Sequence, residues 1–173
     1  MKIDLKMLEN SNIEYNWKTL YVGISSNIIE LEELTNYAVN LMSQANYENN
    51  DFINELSWGI ENKTKEEVLT EMRINCKLDN LIDESEEWEK EKQKLRYVLL
   101  KNIRCGIKDD KKILEEVEEV YEDFGYPEDM ELFIAYMPVK DNYDPSQHSY
   151  EENNMRLIRL FDDFLKIEKE NIK

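Results

Sequence analysis

The sequence predicts an all-α fold: a single-domain irregular helical bundle, or a short helical array, of about eight or nine helices. Glycine and proline are scarce, at four and three in 173 residues, whereas β-sandwiches and barrels use many of both in tight turns. Apolar residues recur at helical spacing along most of the chain, and capping pairs precede several of these stripes. Because no linker is long enough to divide the chain, we assign residues 1–173 to one domain.

The N-terminal part of the chain is predicted to form five helices. Their expected starts, in chain order, are Leu5, Asn16, Asn27, Phe52 and Thr64. The second segment also fits a short strand over residues 20–24, and Gly23 is expected to end it in either case. Asn27 with Glu30, and Thr64 with Glu67, have the spacing of N-terminal capping pairs.

Four further helices are predicted in the rest of the chain. Their expected starts are Asp83, Ile113, Pro127 and Ser149. Gly106 is expected to stop the first of them in the left-handed conformation, and Gly125 is expected to end the second. That second helix has the clearest stripe, since apolar residues between Ile113 and Phe124 fall at offsets typical of one full helix face.

The formal net charge of −17 narrows the classes of partner. Such a charge repels nucleic acid and anionic lipid, and it favours encounter with a basic protein. The alternative is that the charge only keeps the chain soluble. Because the chain has neither a signal-peptide pattern at its start nor an apolar run of membrane-spanning length, we expect it in the cytoplasm.

The sequence lacks the residues that ordinary catalytic and cofactor sites require. The single histidine, His148, lies in a predicted loop, where a Ser-His-Asp or Cys-His arrangement would depend on it alone. Four dispersed glycines form no phosphate-binding loop. The residues therefore predict no enzyme, no catalytic residue and no cofactor.

A metal site is not predicted either. Asp141 and Asp144 lie close together, but they lack the spacing and the glycine of a calcium loop. Cys76 and Cys105 lack zinc-ligand spacing, and both are expected to be buried, reduced and apolar in behaviour.

The acidity is concentrated in one stretch. Between Asp109 and Glu131 eleven acids face only Lys111 and Lys112, so this stretch carries −9 of the total charge. Because the apolar stripe of the helix is fixed, these acids must crowd its solvent side. Like charges four residues apart on a helix repel each other, and a surface without function more often intersperses lysines. A solvated face remains the alternative interpretation.

Three segments resemble a bacterial family of unknown function, the domain of unknown function family 2247. They are Trp17–Gly23, the run Tyr121–Met130 with Phe133 and Tyr136-Met137-Pro138, and Glu151-Glu152-Asn153 with the helix that follows. The resemblance covers most of the chain, and it implies no reaction and no catalytic residues. Small, acidic, mainly helical bacterial proteins of this kind are similar to the immunity proteins that neutralise secreted toxins, an analogy of class and charge.

Three functional hypotheses follow. The first is an immunity-type inhibitor of a basic bacterial toxin, the second a structural or regulatory helical adaptor, and the third a carboxylate- or metal-dependent enzyme. The first makes the acidic stretch, with tyrosine anchors at its centre, the surface for a basic protein partner such as a toxin domain. Its candidate residues are Glu115, Glu118, Glu119, Glu122, Asp123, Tyr126, Glu128, Asp129 and Tyr136.

Overall fold

The computed structural model describes residues 1–45, 47–61 and 63–172. Within them the chain forms eight α-helices and two short 3₁₀ helices, which confirms the all-α prediction. The α-helices are α1 (Leu5–Ser11), α2 (Trp17–Ser25), α3 (Glu33–Met42), α4 (Asp51–Ser57), α5 (Lys65–Asn75), α6 (Glu86–Gly106), α7 (Asp110–Asp123) and α8 (Tyr150–Asn171). The 3₁₀ helices are Glu128–Phe133 and Pro145–Gln147. The one β-type pairing in the described residues is an isolated bridge between Ile3 and Ile29.

The chain divides into two compact units. Lys2–Leu95 forms the N-terminal unit, and the chain from Arg96 onward, together with Met1, forms the C-terminal unit. The helix α6 contributes residues to both. The assignment of the whole chain to one domain stays a prediction.

The N-terminal unit packs α1 and α4 against α3, and α5 against α2. Capping fixes two of these helices: Asn16 and Thr64 each form a capping box at the start of α2 and α5. An aromatic cluster supports the packing, with the Trp17 ring edge-on to Tyr37 at a centroid distance of 4.8 Å. Aromatic pairs in this geometry add stabilisation beyond the area they bury.

The segment 20–24 is helical, so the strand alternative is wrong, and Gly23 lies within α2 rather than at its end. The absence of a side chain matters there for another reason. A Cβ at Gly23 would lie 2.5 Å from Cδ1 of Ile29, whose backbone N–H donates to the Gly23 carbonyl oxygen at 3.0 Å. Glycine therefore permits a close approach of the two segments.

The predicted helix start at Asn27 is also wrong. Asn27 adopts a left-handed conformation with φ of 56°, and α3 begins only at Glu33. A capping residue needs an extended backbone. Asn27 therefore does not cap a helix, although its spacing from Glu30 fits the capping pattern. At α6 the hydroxyl of Ser85, not Asp83, accepts the N–H of Trp88 at 3.3 Å.

The C-terminal unit packs α8 against α7 and against the 3₁₀ helix Glu128–Phe133. Phe133 is the centre of this packing: it is buried, and its ring lies 5.4 Å from Phe161 and 5.0 Å from Phe164. A capping box between Ser149 and Glu152 starts α8, as predicted.

Three further expectations fail, the last of which concerns both cysteines. Gly106 is not among the residues with positive φ, whereas Gly125 is, at 78°. The helix expected after Pro127 is a single 3₁₀ segment that ends at Phe133, because Ile134 is extended. Cys105 is exposed, since it lies on the solvent side of the last turn of α6, and Cys76 is only partly buried.

Candidate protein-binding surface

The acidic helix α7 is anchored by its apolar stripe. Asp109 caps it, accepting the N–H of Lys112 at 2.9 Å. The buried side chains of the helix are Ile113, Leu114, Val117, Val120 and Tyr121. With this stripe turned inward, the acids occupy the remaining circumference, as the periodicity predicted.

The end of α7 places Tyr126. The N–H of Gly125 donates to the carbonyl of Glu122 at 3.0 Å, and the N–H of Tyr126 donates to that of Tyr121 at 2.9 Å. This pair of bonds is the Schellman motif, in which the second residue past the cap contacts the last turn of the helix. The Tyr126 ring accordingly lies edge-on to Tyr121, with centroids 5.3 Å apart.

A turn after the 3₁₀ helix Glu128–Phe133 places Tyr136 near Tyr121 as well. The N–H of Met137 donates to the carbonyl of Ile134 at 3.1 Å, and Tyr136 lies within this turn. Its ring centroid is 6.4 Å from that of Tyr121. Buried Tyr121 therefore supports two tyrosines that remain 58% and 57% exposed, Tyr126 and Tyr136.

Two glutamates of α7 lie beside these rings. Desolvation raises the pKa of Tyr136 above its ordinary value of 10.0, and the charges of Glu122 and then Glu118 raise it further. Burial also raises the pKa of Glu118, although its carboxylate accepts the backbone N–H of Ala135. We call the four residues Glu118, Glu122, Tyr126 and Tyr136 the acidic–tyrosine surface.

The other candidate acids divide into free and paired groups. Glu119, Glu122 and Glu128 are exposed, and within the described part of the chain their carboxylates have no hydrogen bond or ion pair. Glu115 lies 3.5 Å from Lys111 in an exposed pair. Asp123 Oδ2 lies 3.0 Å from the α-amino group of Met1.

Asp129 has a different role from the rest. It accepts two hydrogen bonds from Arg96, at 2.9 Å from Nη1 and 2.7 Å from Nη2. Arg96 is 5% exposed, and it also donates to buried Glu168, from Nε at 2.9 Å and from Nη2. Asp129 therefore completes an ion cluster around Arg96, and both oxygens of its half-exposed carboxylate already accept hydrogen bonds.

The loop that contains His148 is held by local contacts. The His148 ring stacks on Tyr143 at 4.6 Å, Asp141 pairs with Arg156 at 2.6 Å, and Asp144 accepts from the backbone N–H of Ser146 at 3.0 Å. Among residues 1–45, 47–61 and 63–172, no three His, Cys, Asp or Glu side chains are arranged to hold a metal ion. That the chain binds no metal stays a prediction.

Sequence comparison supplies the family. The sequence model of a bacterial family, described as "Uncharacterized protein conserved in bacteria (DUF2247)", matches residues 5–169. The chain belongs to this family. The resemblance inferred from the residues is thereby confirmed for DUF2247, while the likeness to immunity proteins stays a prediction. Comparison with curated proteins and with solved structures found no match.

In the DUF2247 chain, the described helices include none that combines the length and the apolar character needed to cross a bilayer. The structure adds a feature that the sequence did not reveal: a cavity of about 200 Å³ beside the acidic–tyrosine surface, bordered by residues from Glu131 to Leu157. Its walls come from irregular segments and one helix face, so no periodic pattern marks them. The only sequence signal was the clustering of Tyr143, Pro145 and Tyr150.

Proposed function

We propose that this chain is a binding protein for a basic partner, and most concretely an immunity-type inhibitor that neutralises a bacterial toxin in the cytoplasm. One observation carries the proposal. Two half-exposed tyrosines, Tyr126 and Tyr136, pack on buried Tyr121, and the charge of Glu122 lies close enough to raise the pKa of Tyr136.

The chemistry of this surface suits a lysine- or arginine-rich face. Tyrosine offers a large contact area at low cost in side-chain entropy, and it is enriched among the residues that dominate binding energy. Its ring face attracts ammonium and guanidinium groups, and nearby carboxylates increase the rate at which a cationic partner is captured. The Tyr136 phenol stays protonated at neutral pH, because its pKa lies above 10.0, so it serves as a hydrogen-bond donor.

The packing of the two tyrosines supports a preformed surface. Tyr126 is fixed by the backbone bonds at the end of α7, and Tyr136 by the turn that follows Ile134. A partner that binds here meets rings already held in place, and preorganisation of this kind lowers the entropic cost of association.

The proposal is tested by rescue and by direct binding. Cells that express the toxin encoded by the neighbouring gene should survive when this chain is co-expressed, and the two purified proteins should form a complex. In that complex Tyr126→Ala is expected to weaken binding by about 2 kcal/mol or more, as for a central aromatic anchor. The double variant Glu118→Gln/Glu122→Gln should slow association and reduce the salt dependence of its rate.

A matched control removes the same charge elsewhere. Glu48→Gln/Glu89→Gln replaces two exposed glutamates of the N-terminal unit, and it should leave the association rate much closer to that of the wild type. Failure of the wild-type chain both to rescue and to bind would refute the inhibitor. Equal effects of the two double variants would show that net charge, rather than the acidic–tyrosine surface, governs the encounter.

A second function, the helical adaptor, is favoured by one feature of the N-terminal unit. Trp58 follows α4 and is 88% exposed, and an exposed tryptophan is a common anchor for another protein. If the adaptor is correct, Trp58→Ala abolishes partner capture while Tyr126→Ala does not. The inhibitor predicts the reverse.

A further inference from the structure

The cavity in the C-terminal unit has room for one side chain, and apolar and polar groups contribute about equally to its lining. Its volume is about 200 Å³, and Ile134, Met137, Pro138 and Leu157 contribute to its lining. A dry apolar cavity of about 150 Å³ accepts a benzene ring. A leucine or phenylalanine side chain therefore matches the size of this space and can contact the apolar part of its lining.

The charged groups at the cavity are neutralised from within the protein. Lys140 lies 2.5 Å from Glu131, and Arg156 pairs with Asp141 at 2.6 Å. The Arg156 guanidinium also lies over the Tyr143 ring, 4.3 Å from its centroid. With both cations occupied, the lining offers no unpaired charge to hold an anion, and the ligand must be recognised through neutral groups.

Asn154 supplies such a group. Its side chain lines the cavity and is half-buried, and within the described residues it has no hydrogen-bond partner. Its neighbour Asn153 is occupied, accepting from the Tyr143 hydroxyl at 2.6 Å and donating to the Pro145 carbonyl at 3.1 Å. A carboxamide carries both a donor and an acceptor, which complements the N–H and C=O of a peptide backbone.

The wall of the cavity contacts one residue of the acidic–tyrosine surface, Glu118. Ala135 and Met137 line it, and Tyr136 stands between them in the chain. The backbone N–H of Ala135 donates to Glu118, which ties the cavity wall to α7. The cavity wall is therefore joined to the acid-rich helix α7, and basic residues that flank the bound side chain suit the charge of that helix.

We propose that this cavity is a pocket for one large apolar side chain of a basic peptide segment, whose neighbouring backbone amide pairs with Asn154. The segment belongs to the basic partner, so this inference rests on the proposed function. It adds a sequence preference that charge attraction alone does not give.

The test uses labelled peptides of the form acetyl-Lys-Lys-X-Lys-Lys-amide, with X as Ala, Leu or Phe, and measures binding by fluorescence anisotropy. The Leu and Phe peptides should bind about ten- to a hundredfold more tightly than the Ala peptide, as expected for burying such side chains. Ala135→Phe, which fills the pocket, should remove this difference. Asn154→Leu, of similar shape, should weaken the Leu peptide about tenfold through the lost hydrogen bonds. Thermal unfolding of both variants checks that they fold.

The outcomes separate this inference from the proposed function. Salt-sensitive binding with equal affinity for all three peptides overturns the pocket and leaves the basic-partner function standing. Absence of peptide binding also overturns the pocket, and the toxin rescue then decides the function independently. If acetyl-leucine amide alone competes as well as the full Leu peptide, the pocket holds a small molecule and the peptide assignment is wrong.

Discussion

The two acid-rich helices α6 and α7 use their carboxylates in opposite ways. In the first half of α6, Glu86 pairs with Lys90 at 2.7 Å, and Glu91 accepts from Lys94 at 2.9 Å and from Thr19 at 2.6 Å. On α7, Glu119 and Glu122 have no such partner among the described residues. The first set of acids is paired within the chain, with Glu91 buried, whereas the second adds repulsion to the folded chain and is available to a partner.

Substitution of Arg96 has the largest expected effect on stability, because its charge is buried with the carboxylate of Glu168. Arg96→Ala leaves Glu168 buried without its cation, and loss of one partner of a buried pair costs about 3–5 kcal/mol. Burial already raises the pKa of Glu168 against the opposing charge of Arg96, so the variant should take up a proton on this residue. Urea unfolding measures the change in the free energy of unfolding.

A second substitution separates the contributions of the two carboxylates that Arg96 contacts. Asp129→Asn removes the more exposed carboxylate of the cluster and should cost clearly less than Arg96→Ala. If the two substitutions cost the same, the stabilisation comes from the Asp129 contact and not from the buried pair. That result would also assign Asp129 to the ion cluster alone and remove it from the binding candidates.

Glu91 is the corresponding test in the N-terminal unit. It is buried together with Thr19, so Glu91→Ala leaves the Thr19 hydroxyl without its acceptor, at a cost of about 1–3 kcal/mol. Glu91→Gln keeps an acceptor oxygen for Thr19 while losing the charge beside Lys94, and it should cost less. Unfolding that is unchanged in Glu91→Ala would show that the carboxylates of α6 do not stabilise the fold.

The features predicted correctly from the sequence are those that depend on residues close together in the chain. Capping at Asn16, Thr64 and Ser149 depends on neighbours three residues away, and all three caps are confirmed. The Arg96–Asp129 contact joins residues 33 apart in sequence, so no local pattern announced it. Asn27 failed because its backbone turns left-handed, a choice set by the return of the chain from α2.

At the candidate site, too, only the features set by a local sequence pattern could be predicted. The acids of α7 could be assigned to the solvent side because the apolar stripe fixes the helix. The convergence of Tyr126 and Tyr136 on Tyr121 required a Schellman motif and a turn, which are tertiary outcomes of Gly125 and of the short 3₁₀ segment. The adjoining cavity depends on the placement of residues 131–145 against α8, and no periodic sequence pattern indicates that placement.

Removing one free acid from α7 should stabilise the protein slightly. Glu119 lies four residues from both Glu115 and Asp123, and relief of like-charge pairs at this spacing is worth about 0.2–0.5 kcal/mol. Glu119→Gln is therefore expected to raise the free energy of unfolding at low salt. The matched substitution on α6, Glu86→Gln, should lower it, since it breaks the pair with Lys90 that lowers the pKa of Glu86. Changes of the same sign in both helices would contradict the distinction drawn between them.

The smallest expected effect concerns the pKa of Tyr136. Because desolvation and the charges of Glu122 and Glu118 raise this pKa above 10.0, the folded chain holds the proton more tightly than the unfolded one. The resulting stability is complete below about pH 10 and is lost as the pH rises through the folded-state pKa. Glu122→Gln should lower the pKa of Tyr136, as measured by NMR of ring-labelled tyrosine. Glu116→Gln removes the same charge from α7 at a residue that is not among those that raise this pKa, so it should have less effect. Equal shifts in the two variants would mean that Glu122 does not lie close enough to Tyr136 to form one surface with it.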